Sequence, residues 1–217
     1  ILYVIEKHMD TKKNEIRENA HKQMIIGITG SIGSGKTTAA KLFSRHWYNR
    51  IDADEIVHEI LKSDKNIKKI LIKNFGNEIV DKNKNIDRKK LGDVVFYDIK
   101  KLKKLNSIMH PIIILNIKKR IAEIKKRCPA KTRIVIDAPL LLETEAKNLI
   151  DKVIVIKCNK GNILKRNKKF PKEQIERILK SQMPLNEKLK YADFLINNNK
   201  DLNHLKNQVE RIIKKIE

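Results

Sequence analysis

The segment Gly30-Ser31-Ile32-Gly33-Ser34-Gly35-Lys36-Thr37 constrains this chain more than any other. It fits G-x-x-x-x-G-K-[ST], a pattern with physical meaning only between a strand and a helix. Both flanks are right. Met24-Ile25-Ile26-Gly27-Ile28-Thr29 is a short apolar strand, and Thr38-Ala39-Ala40-Lys41-Leu42-Phe43 has the composition of opening helical turns. Of the 7 glycines in the chain, four (Gly27, Gly30, Gly33 and Gly35) crowd into this one turn, so the spacing is not the scatter of a glycine-rich sequence. Glycines let the backbone fold back until successive N–H groups point into one concavity. The helix N-terminus adds partial positive charge at the same place. The loop therefore reads as a cradle for a nucleoside triphosphate, formed by Gly33, Ser34, Gly35, Lys36, Thr37 and Thr38. Lys36 reaches the β- and γ-phosphates, and the Thr37 hydroxyl is a candidate ligand for Mg²⁺.

From Met24 onward, apolar strands alternate with amphipathic helices. Strands are expected at Ile25–Thr29, around Asn49–Ile51, at Arg133–Ile136, at Lys152–Ile156 and at Phe194–Ile196. Helices are expected from Lys36 to about His46, over Glu173–Gln182 and over Leu202–Ile216. One long helical stretch fills about 55–127, with breaks near Asn74–Gly76 and Asp81–Asn85 and a further break at Pro111. This alternation implies a parallel sheet covered on both faces, a three-layer α/β architecture. In open parallel sheets ligands gather beyond the carboxyl ends of the strands. The glycine-rich loop, Asp52 with Asp54, and Asp137 all fall at such ends, so a single cleft would collect them.

A chain of 217 residues suits one well-cored domain with an insertion. Residues 1–23 show no apolar periodicity and read as a flexible extension or a start assigned too far upstream, with Met9 and Met24 as later alternatives. Glu6, Asp10, Glu15 and Glu18 argue against a mitochondrial transit peptide. No apolar run approaches membrane-spanning length. Cys128 and Cys158 lie far apart without a CxxC pair, which argues for a reducing compartment, here the cytoplasm, and against structural zinc. The net charge of +23 is carried mostly by Lys spread along the whole chain, with abundant Asn and Ile, as A/T-rich codons encode. With no RGG tract and no aromatic–basic strip, it argues for steering of polyphosphate substrates over a dedicated nucleic-acid function.

A phosphate loop alone leaves several classes open. A GTPase needs an N-K-x-D guanine reader, and the sequence has none. A nucleic-acid motor needs an acidic pair after the third strand, but Asp137 is followed by Ala138-Pro139. A helical insertion after the second strand, with a basic segment after Lys152–Ile156, is instead the layout of a small-molecule kinase.

At this level the residues resemble the dephospho-CoA kinase family. Thr29 to Lys36 is similar to its nucleotide loop, Asp52-Ala53-Asp54-Glu55-Ile56 to its D-A-D-x-I segment, and Leu105-Asn106-Ser107-Ile108-Met109-His110-Pro111 to its L-N-x-I-x-H-P signature. Phe75-Gly76, Ile86 to Gly92 and Val95-Phe96 follow the family order. Asp137-Ala138-Pro139-Leu140-Leu141-Leu142-Glu143 resembles the D-x-P-L-L-x-E block, and Gln182, Ala192-Asp193 and Asn197 its C-terminal elements. The likeness covers 24–217. It implies phosphorylation of the 3′-hydroxyl of dephospho-CoA by ATP with Mg²⁺, an acceptor-binding helical insert over about 55–127 and a lid over about 160–172.

By the same resemblance, Asp54 is the catalytic acid–base, beside Lys36 and Arg166. Asp52, Arg88 and His110 bind the acceptor, and Thr37 with Asp137 serves the metal. Read from residue chemistry alone, Asp52 is equally a helix cap, and Glu143 a packing or capping residue. The lid departs from the family: Leu164-Lys165-Arg166 matches its start, but Lys168 and Lys169 stand where a second arginine is expected. Lysine offers a point charge in place of a bidentate fork. The glycine often found before the second strand is also replaced, by the His46–Arg50 stretch. Two further readings stay open: a kinase for another small nucleoside or nucleotide, and a nucleic-acid-binding ATPase.

Overall fold

A computed structural model describes residues 23–129, 132–168 and 170–216. The proposed N-terminal arm, apart from Gln23, and Lys169 of the lid lie outside the described residues. Five strands, β1 (Met24–Gly30), β2 (Asn49–Asp52), β3 (Arg133–Asp137), β4 (Lys152–Lys157) and β5 (Phe194–Asn197), form one parallel sheet in the order β2-β3-β1-β4-β5. Helix α1 (Lys36–Ser44) joins β1 to β2. Four helices, α2 (Ala53–Ser63), α3 (Lys65–Phe75), α4 (Arg88–Phe96) and α5 (Ile99–Arg127), lie between β2 and β3. Between β4 and β5 come α6 (Lys160–Arg166), α7 (Lys172–Ser181) and α8 (Leu185–Leu189), and α9 (Leu202–Ile216) follows β5.

The strands are almost continuously apolar because both faces of the sheet are covered. Successive side chains point to opposite faces. Ile25, Ile51, Ile134 and Ile136 meet the α2–α5 layer through Ile56, Leu71, Leu91 and Ile117. Ile26, Ile28, Val135, Ile154 and Ile156 meet α1 and α9 through Ala39, Phe43, Leu205 and Val209. The three-layer expectation is met. Among the described residues no helix is long and apolar enough to cross a membrane.

The helical stretch is cut more often than the sequence suggests. Asp52, Asp64, Asp87 and Asp98 each accept two backbone N–H groups of the helix that follows, at 2.8–3.2 Å. Each such cap is worth about 1 kcal/mol, enough to start a new helix where the axis must turn. Asp52 caps α2, which therefore starts at Ala53 and not at Glu55. Pro111 does not break its helix: α5 runs through it for 29 residues. The missing N–H and ring clash cost about 3 kcal/mol, offset here by burial of Met109, Ile117, Ile121 and Ile124 along one side.

Register decides where the chemistry sits. Asp52 pairs with Asp137 across β2–β3, and Asp137 pairs with Ile28 across β3–β1, two residues before Gly30. The ends of three adjacent strands thus deliver two carboxylates and the glycine-rich loop to one edge.

Candidate active site

The loop has the backbone that its glycines allow. Gly33 and Gly35 hold φ of 68° and 98°, in the left-handed region. A Cβ on either would overlap an asparagine, Asn167 at Gly33 and Asn198 at Gly35. Asn198 Nδ2 donates to Ser34 O at 2.7 Å, and Gln182 Oε1 accepts the Ile32 N–H at 3.2 Å, so two side chains from distant elements brace the loop. Gly35 opens α1 without a side-chain cap, which leaves the first amides of the helix to an anion. Lys36 is buried, and its Nζ donates back to Ser31 O at 2.9 Å. Burial pushes its ammonium below the usual lysine range, opposed by the carboxylates of Asp137 and Asp54. Thr37 and Thr38 stand exposed on the first turn of α1.

Asp137 and Asp54 act on this lysine, with Asp52 beside them. Asp137 is almost fully buried at the end of β3, and burial raises its pKa, opposed by the nearby Thr37 hydroxyl and by Lys36. Its Oδ2 is buried and accepts no hydrogen bond, with Arg50 Nη1 at 3.8 Å. Asp54, on the first turn of α2, is reached by water but walled by protein. Burial in that cleft raises its pKa, Asp52 adds to the rise, and Lys36 and Arg88 oppose it. Asp52 spends one carboxylate oxygen on capping α2 and the other on Arg50 at 2.8 Å. The capping alternative is therefore realised for Asp52, and Asp54 keeps the freer carboxylate.

Arg88 begins α4 and is near enough to Asp54 for their charges to interact. Arg166, at the end of α6, donates to Asn198 O at 3.1 Å and to Cys158 Sγ at 3.4 Å, and its Nη1 lies 3.9 Å from the position of a Cβ on Gly35. The structure thus brings Arg166 to the mouth of the phosphate loop. His110 lies within α5, where burial lowers its pKa against the influence of Glu143, and its buried Nε2 has no hydrogen-bond partner. Glu143 neither caps nor merely packs: it pairs with Lys188 at 2.9 Å and accepts the Met183 N–H at 2.9 Å.

Lys188, Asn167 and Asn198 were not singled out by the sequence. Asn197, which was, bonds through its own N–H to Gln208, and its neighbour Asn198 is the residue that reaches the loop. Asp193 braces the start of β4 through Lys152 Nζ and Val153 N–H, both at 2.8 Å, and not the cleft.

A phosphate loop, a buried acid beside its threonine, and a second carboxylate facing its lysine, all on a parallel sheet with helices inserted after β2, define a P-loop small-molecule kinase. The sequence places it further. The chain belongs to the dephospho-CoA kinase family, whose model matches residues 24–204. Its relatives include the dephospho-CoA kinases of Fusobacterium nucleatum, 41% identical over 89% of this chain and 98% of that protein, and of Aquifex aeolicus, 36% identical over 88% and 96%. Among solved structures, the Campylobacter jejuni dephospho-CoA kinase is 29% identical with a TM-score of 0.63, covering 90% of this chain and 98% of that one. A Thermus thermophilus crystal structure covers the same shares, with a TM-score of 0.71 at 25% identity.

Proposed function

We propose that this protein transfers the γ-phosphoryl group of ATP to the ribose 3′-hydroxyl of dephospho-CoA, giving CoA and ADP. The observation that carries it is the convergence of Lys36, Asp137 and Asp54 at one end of the sheet. These supply a cation for the transferred phosphate, an acid for a metal and a base for an alcohol. The amides of Gly33 to Thr38 and the Lys36 ammonium hold the β- and γ-phosphates. Asp54 accepts the hydroxyl proton as the oxygen attacks the γ-phosphorus and the bond to the β-phosphate oxygen breaks. Its raised pKa makes it a better acceptor than an ordinary aspartate, provided it is ionised. Arg88 and His110 hold the acceptor, and Asp52 fixes the start of α2 and so the direction in which Asp54 projects. Arg166 spreads positive charge over the transferring group. It does so with one fork where two are expected, since Lys168 offers only a point charge.

Thr37 and Asp137 suit Mg²⁺. The cation takes hard oxygen ligands and is usually held by one or two carboxylates plus substrate phosphates. Asp137 has a buried oxygen without a hydrogen-bond partner, and the Thr37 hydroxyl is near enough to favour the ionised form of that carboxyl. Among the described residues no group of three His, Cys, Asp or Glu residues is placed to hold a metal alone, which leaves phosphate oxygens to complete the site. Bound there, Mg²⁺ neutralises charge on the β- and γ-phosphate oxygens.

The helices from α2 to α5 form the acceptor side and the segment around α6 the lid. The protein acts in the cytoplasm, and its positive field draws in anionic substrates without a nucleic-acid partner. ADP release measured with dephospho-CoA, nucleoside monophosphates and oligonucleotides tests the proposal. Stimulation by dephospho-CoA alone supports it, and stimulation by a monophosphate or by nucleic acid overturns it.

A further inference from the structure

Lys188 is the least expected residue in the molecule. It lies on the five-residue helix α8, its side chain is fully buried, and nothing in the chemistry above uses it. Taking an ammonium out of water is costly unless its donors are satisfied. Here the ammonium donates to Pro139 O at 2.8 Å and to Thr29 Oγ1 at 3.3 Å, and it forms an ion pair with Glu143 Oε1 at 2.9 Å. Thr29 Oγ1 in turn donates to Pro139 O at 3.1 Å. Thr29 is the last residue before Gly30, and Pro139 is two residues past Asp137. A single side chain therefore ties the root of the phosphate loop to the turn that leaves the buried acid. Lys188 is also near enough to Lys36 for their charges to repel.

The ion-pair partner, Glu143, reaches toward the residue proposed to hold the acceptor, His110. Glu143 Oε1 is engaged by Lys188 and by the Met183 N–H, while Oε2 is buried without a partner. Its charge is felt by His110, whose buried Nε2 is also unpartnered. The neighbour of Met183, Gln182, holds the Ile32 N–H of the phosphate loop. We propose that Lys188 is a positioning residue for phosphoryl transfer: it fixes the Pro139–Glu143 turn against Thr29 and so holds the Glu143 carboxylate toward His110 on the acceptor side. The acceptor named in the test rests on the function proposed above, whereas the tether itself does not.

Lys188→Met keeps length and bulk and removes the donors. In steady-state kinetics, kcat/KM for dephospho-CoA is expected to fall about 10- to 100-fold while KM for ATP stays within about 3-fold, the pattern of a displaced acceptor wall. A merely structural lysine predicts something else, because Lys188→Met also leaves Glu143 as an unpaired buried carboxylate. Adding Glu143→Gln removes that charge. The double variant is expected to regain melting temperature yet remain about 10-fold or more below wild type with the acceptor. Full recovery of turnover in the double variant, or equal losses toward ATP and acceptor, would overturn the proposal.

If Lys188→Met fails to fold, Glu143→Gln alone takes its place, with a rise of about 3-fold or more in acceptor KM expected and an unchanged value overturning it. Hydrogen exchange separates this outcome from failure of the functional reading. Wild type inert toward dephospho-CoA would sink that reading alone. The tether is then decided by whether the loss of Lys188 or Glu143 speeds exchange at Met183 and across 140–143 while 30–36 stays protected; no difference between the two segments would overturn it.

Discussion

Gly35→Ala puts a number on how strictly the phosphate loop is built. Two costs are visible. At φ 98° a residue with a Cβ is strained, by about 1–2 kcal/mol. The added carbon also overlaps Asn198 Nδ2, which must leave its hydrogen bond to Ser34 O, a further loss of about 0.5–1.5 kcal/mol. Together these give about 1.5–3.5 kcal/mol. If the loop relieves the strain by opening, affinity for Mg²⁺–ATP falls about 10- to 400-fold. Isothermal calorimetry on ligand-free protein, beside a thermal melt showing that the variant is folded, measures it. Asn198→Ala supplies the control. Its hydrogen bond is already lost in Gly35→Ala, so the two substitutions combined should cost less than the sum of each alone. Binding within about 3-fold of wild type, or strict additivity, would refute the reasoning.

Lys36→Ala should abolish Mg²⁺–ATP binding. Asp54→Asn should leave it nearly unchanged and lower turnover by roughly 10²–10⁴-fold, as calorimetry and a turnover assay will show. Loss of nucleotide binding in Asp54→Asn would move that residue to the metal. Because burial raises the Asp54 pKa above 3.8, the acid limb of the kcat/KM profile should lie above that of an ordinary aspartate. Asp137 is raised too, so the native state holds this proton more tightly than the unfolded chain. The resulting stability is present below pH 3.8 and is lost as pH rises through the native value. Asp137→Asn should therefore raise the melting temperature of the ligand-free protein at pH 7 while removing activity, and a lower melting temperature there would contradict the assignment. With a net charge of +23, added salt should raise substrate KM values more than it lowers kcat; tight binding of random oligonucleotides with a steep salt slope would defeat the steering account.

The parts of the site that were legible in the sequence are those where several local signals coincide. The phosphate loop carried glycine spacing, an apolar strand before it and a helix after it. Asp52, Asp54 and Asp137 were placed by the rule that parallel strands present ligands at their carboxyl ends. The caps at Asp64 and Asp98 escaped notice because a lone aspartate inside a Lys- and Ile-rich amphipathic stretch barely disturbs its periodicity. The break expected at Pro111 failed for the opposite reason: a strong local penalty was outweighed by burial along α5. Lys188 left no trace, being one of 49 Lys and Arg residues on a helix too short to show a face. Asn198 braces the loop, and Asn167 packs over Gly33, only because the end of β5 and α6 fold over it, a proximity that no local pattern encodes.

The proposed reaction places phosphate on one hydroxyl of one acceptor. Incubation of the protein with dephospho-CoA and Mg²⁺–ATP, followed by ³¹P NMR of the purified product, tests it most directly. A single new phosphomonoester on the ribose 3′-oxygen is expected, formed together with ADP and absent with Lys36→Ala. Phosphate at another position, or ADP formed with the acceptor left intact, would contradict it.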